Sequence, residues 1–83
     1  MSGPQYSGPH LAWPHARKVA EALLKARRDS HRPAGEVAAA VGWSGGRLWL
    51  KEQGRSRMRE DEALALAAVL GVDAQELGLE GET

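Results

Sequence analysis

Apolar residues recur at helical intervals along most of this 83-residue chain, and Gly and Pro divide them into short segments. Residues 1–13 are rich in Gly, Pro and Ser, which resist helix and leave little apolar surface to bury, so they are expected to form a mobile arm. Pro14 then stands where the first turn of a helix tolerates proline, and His15 to Asp29 contains neither Gly nor Pro. Within that run Val19, Leu23 and Ala26 recur at helical spacing, while Arg17, Lys18, Glu21, Lys25 and Arg28 mostly cover the other sides. The pattern predicts an amphipathic helix with a basic exterior.

Ser30-His-Arg-Pro33 interrupts that helix, because the residue before a proline is pushed away from helical angles. Pro33 to Val41 reads as a second helix, with Val37 and Val41 one turn apart, and Gly42 ends it by adopting a left-handed conformation. Ser44 is expected to cap a third helix that runs to Gln53, where Gly54 stops it. Glu60, Asp61 and Glu62 open a fourth at the end where the helix dipole favours acids. Ala63 to Leu70 is apolar nearly all round, so Leu64, Leu66, Val69 and Leu70 are expected to form the central core. Asp73-Ala-Gln-Glu76 reads as the cap of a fifth short helix ending near Leu79, and no alternating strand pattern competes anywhere. The prediction is an all-α, compact bundle of five short helices over residues 14–79, followed by an acidic tail at 80–83.

Charge changes this picture, because the formal net charge of zero conceals two opposed parts. Residues 1–59 hold all eleven Lys and Arg against four acids (Glu21, Asp29, Glu36, Glu52), a local charge of +7; residues 60–83 hold seven acids and no cation, or −7. Fields are screened over about 10 Å, so a partner meets the local patch and not the sum. There is no cysteine, which removes disulfides and thiolate zinc sites. No apolar run approaches the ~20 residues that span a bilayer and no signal-peptide core follows Met1, so a soluble, cytoplasmic protein is expected.

His10, His15 and His31 share no helical face at ligand spacing, and no metal or other cofactor is expected. Asp29-Ser30-His31 contains the residue types of a hydrolase triad, but adjacency in sequence is not the geometry that catalysis requires, and it reads as a helix end. No phosphate loop or paired carboxylates appear, so the chain is not expected to be an enzyme. Trp43 reads as a core or turn-packing residue, while Trp13 either folds back on the first helix or stays in the arm.

The segment Val37-Ala-Ala-Ala-Val-Gly-Trp-Ser44 followed by Leu48 resembles the helix-turn-helix of the Xre and Cro type of phage-repressor-like DNA-binding proteins. The family's small residue in the first helix, glycine in the turn and apolar residue in the second helix correspond to Ala38, Gly42 and Leu48. Val19 to Arg27 is similar to the family's first helix, Leu66-Ala-Ala-Val-Leu-Gly-Val72 to its fourth and Asp73 to Leu77 to its fifth, so the resemblance covers residues 17 to 78. It implies a DNA-binding transcriptional regulator whose helix at 44–53 lies in the major groove of double-stranded DNA. The DNA-binding residues it implies are Arg32, Ser44, Gly45, Gly46, Arg47, Trp49, Leu50, Gln53, Arg55 and Arg57.

The third helix departs from the family pattern. At about 100° per residue, Leu48, Trp49 and Leu50 cannot share one wall; Ser44, Lys51 and Glu52 fall on Leu48's side, and Gly45, Gly46, Trp49, Leu50 and Gln53 on the other. The family usually has an apolar residue at the place of Lys51, polar readers where Gly45, Gly46, Trp49 and Leu50 stand, and often a phosphate-binding glutamine at Ala34. Three readings of Trp49 and Leu50 follow: burial through a local irregularity, contact with DNA, or an anchor for an acidic protein partner beside a basic rim. One side of the fourth helix is likewise either core or the seam of a homodimer.

Overall fold

The computed structural model describes residue 11 and residues 15–79. Four α-helices, α1 (His15–Asp29), α2 (Ala34–Ala40), α3 (Gly45–Glu52) and α4 (Glu60–Leu70), are followed by a 3-10 turn at Ala74–Leu77, with no strand among the described residues. The expected fifth helix is thus a single tight turn. Asp73 caps it, its carboxylate accepting from the Gln75 N–H at 3.0 Å, but only four residues follow before Gly78 closes the turn. That is too short for the i to i−4 ladder of an α-helix to propagate.

α1 packs on α4, α2 on α3, and the two pairs are tied together by contacts of α1 with α3 and α2 with α4. The buried faces follow the periodicity: Ala16, Val19, Ala20 and Leu23 from α1, Val37 and Ala38 from α2, Leu48 from α3. α4 departs from expectation, because Ala63, Leu66 and Ala67 are its buried apolar positions and Leu64, Val69 and Leu70 lie only partly covered at the margin of the core. Alanines let α1 and α2 approach α4 closely, so the larger side chains are displaced to the flanks. Trp43 is buried as expected, and Met58, in the arginine-rich segment 54–59 between α3 and α4, is buried in the same core.

Leu11, within the stretch expected as an arm, is buried and donates its N–H to the Met58 carbonyl at 2.8 Å. The rest of the arm with Trp13, Pro14, and the tail at 80–83 lie outside the described residues. At the end of α1, Asp29 pairs with Lys25 at 2.8 Å and the Ser30 hydroxyl donates to the Arg27 carbonyl at 2.9 Å, so both groups serve the helix terminus. No described helix is long and apolar enough to cross a membrane.

Candidate nucleic-acid interface

The turn between α2 and α3 is built from backbone that side chains would resist. Gly42 has φ of 79°, a left-handed value that costs glycine little, and Trp43 donates its N–H back to the Ala38 carbonyl at 2.8 Å. Ser44 then caps α3, its hydroxyl accepting from the Arg47 N–H at 3.1 Å.

α3 divides sharply into two faces. Inward lie Leu48, Lys51 and Glu52, all buried; outward lie Gly45, Gly46, Trp49, Leu50 and Gln53, all exposed. Trp49 retains 49% and Leu50 41% of its accessible surface, the two large apolar residues of the described chain left open, so the reading in which a local irregularity buries them is overturned. Regular helical spacing forbids it: with Leu48 fixed in the core, neighbours at +100° and +200° (about 100° per residue) must point away.

The inward charges are paired. Glu52 receives two hydrogen bonds from the Arg27 guanidinium, at 2.7 and 3.1 Å, which fastens α3 to α1. The Lys51 ammonium donates to Glu62 of α4 at 2.9 Å and to the Arg57 carbonyl at 3.0 Å. Glu62, almost wholly buried, also accepts from the Arg59 N–H at 2.8 Å and from Arg47 at 3.2 Å. Burial alone would raise the Glu62 pKa, but the Arg59 N–H, the Lys51 hydrogen bond and charge, and Arg47 outweigh it and hold the carboxyl below its ordinary value.

This network positions the basic segment after α3. The N–H groups of Arg55 and Ser56 both donate to the Leu50 carbonyl, at 2.9 and 3.3 Å, and Lys51 holds Arg57 through its carbonyl. Arg55 and Arg57 are exposed, and the Arg55 guanidinium stands 5.5 Å from the centre of the Trp49 ring. Trp49, Leu50, Gln53 and Arg55 therefore form one continuous surface, with Gly45 and Gly46 one turn earlier.

The other expected site residues are placed differently. Arg47 is half-exposed, but it bridges Glu62 and lies 4.9 Å over the Trp43 ring, so one edge of its guanidinium is committed to the fold. Arg32 donates to the Val69 carbonyl and to Glu36 at 3.1 Å, which places it by the carboxyl end of α4, about 10 Å along that helix from Glu62. The Ser44 hydroxyl is spent in capping. Lys51 and Glu62 carry the geometry of the site and were not among the expected residues; the available signal was a lysine on the side of α3 that also carries Leu48. No three His, Cys, Asp or Glu side chains among the described residues gather where they could hold a metal ion. Comparison with protein-family models, curated proteins and solved structures finds no match for this chain.

Proposed function

We propose that the chain is a duplex-DNA-binding transcriptional regulator, in which α2 and α3 act as a helix-turn-helix unit and α3 enters the major groove. Arg55, Arg57 and the free edge of Arg47 contact phosphates. The observation that carries this reading is the absence of negative charge from the outer side of α3. Glu52 is the one acid between residues 37 and 59, and it is turned inward onto Arg27, while cations flank the exposed surface. Such an arrangement suits a polyanion, since an outward carboxylate beside phosphates would repel it. The resemblance to Xre and Cro-type proteins points the same way.

The test is a salt titration of binding to random-sequence duplex. Affinity should fall steeply with salt, and Arg55→Gln should lower the slope of log K against log salt by about one. No duplex binding at low salt would refute the reading. It would favour the second one, in which the exposed Trp49 and Leu50 anchor an acidic protein partner within the same basic rim.

A further inference from the structure

We propose that the outward face of α3 recognises pyrimidine C5-methyl groups in the major groove, those of thymine or of 5-methylcytosine. The proposal rests on the duplex reading above. It begins from what this face lacks. Sequence is usually read by donors and acceptors on the first turns of the groove helix, matched to base edges. Here the outward positions are Gly45 and Gly46, which have no side chain, Leu50, which has no polar atom, and Trp49, which has a single indole N–H; the one amide on this side, Gln53, comes only at the carboxyl end of the helix. The C5-methyl is the one feature of a major-groove edge that apolar surface can recognise without a hydrogen bond.

The glycines have no role in the packing of the protein. A Cβ added at Gly45 or at Gly46 would meet nothing within 4 Å, and neither residue has positive φ. Glycine in a helix is a standing loss of stability relative to alanine, so two in succession on an exposed helix point to something outside the fold that approaches closely. Gly46 precedes Trp49 by three positions and Leu50 by four, so all three occupy neighbouring positions on adjacent turns. Glycine backbone, an indole and an isobutyl group thus lie side by side on the exposed surface, with open space where a glycine Cβ would stand.

The Arg55 guanidinium lies 5.5 Å from the centre of the Trp49 ring, and its backbone N–H, donated to the Leu50 carbonyl at 2.9 Å, keeps this positive charge beside the end of α3. That charge, together with the absence of any outward acid on α3, selects a nucleic-acid edge over an apolar protein surface as the occupant.

The experiment uses the full chain and three pairs of measurements at one fixed salt concentration. The first pair compares an alternating A·T duplex with the same duplex in which uracil replaces thymine. The second compares an alternating G·C duplex with and without 5-methylcytosine. The third repeats both with Trp49→Ala and Leu50→Ala, which are exposed and leave the core untouched. Each methyl covered by Trp49 or Leu50 should change affinity about three- to four-fold, the effect of one buried carbon. Loss on uracil substitution assigns thymine, gain on cytosine methylation assigns 5-methylcytosine, and in either case the variants should abolish the difference. Equal binding within both wild-type pairs, or a methyl effect that survives in both variants, overturns the proposal and leaves duplex binding intact. Failure to bind any of the duplexes overturns the duplex reading with it.

Discussion

The two faces of α3 obey different rules. On the inner face every residue answers to another part of the molecule: Leu48 to the core, Glu52 to Arg27 on α1, Lys51 to Glu62 on α4 and to the Arg57 carbonyl. On the outer face nothing in the fold calls for two glycines, a tryptophan and a leucine, and two of these choices work against stability or solubility. The contrast separates residues that the fold explains from residues that it does not.

The largest effect should come from breaking the inner face. Glu62→Leu would leave the Lys51 ammonium buried without a carboxylate, with the Arg57 carbonyl and the Trp43 ring beside it, and should cost about 3 kcal/mol in urea unfolding. Adding Lys51→Met should restore most of that loss, because a matched apolar pair carries no desolvation penalty. If the double variant is as unstable as the single one, the pair is not the source of the effect. The same carboxylate predicts the next effect, a dependence on acid. Its folded pKa is lowered from 4.5, so the unfolded chain binds the proton more readily and stability rises with pH through this range. The contribution is fully present above the unfolded value and fades as pH falls through the folded one. The melting temperature of Glu62→Gln should therefore vary less between neutral and acidic pH than that of the parent.

Changes on the outer face should be smaller and of either sign. Gly45→Ala and Gly46→Ala should each raise stability by about 0.5 kcal/mol, since the added methyl meets open space and restricts the unfolded chain. Trp49→Ala and Leu50→Ala should change unfolding free energy by no more than about 0.5 kcal/mol, the usual range for exposed positions. A loss of 2 kcal/mol or more at Trp49 (about four times that range) would move this residue to the structural side of the comparison.

Much of this arrangement was legible in the sequence. The four helices, the left-handed Gly42, the Ser44 cap and the division of α3 into Leu48's side and Trp49's side all follow from local propensity and a 3.6-residue period, which act within one turn. What was not legible depends on distant chain. Lys51 scores as a polar residue on a core face, and only its meeting with Glu62, eleven positions on, turns it into a structural element. Arg32 and Arg47 were expected to face DNA because the family resemblance implies it, yet Val69, Glu36 and Glu62 engage them. In α4 Leu66 fills the core as expected, while Leu64, Val69 and Leu70 are left at its margin and Ala63 and Ala67 take the inward places that the close approach of neighbouring helices keeps small. The fifth helix was lost because a capping motif marks a start without specifying a length.

The division of α3 into a structural face and a binding face is tested most directly by measuring duplex affinity of the chain carrying Gly45→Ala and Gly46→Ala beside that of the parent, at the same salt. The expected result is a more stable protein that binds more weakly, because the added methyls would stand in the open space over Gly45 and Gly46 that the proposed duplex contact requires. Affinity equal to or greater than the parent's, in a protein that is more stable, would contradict it.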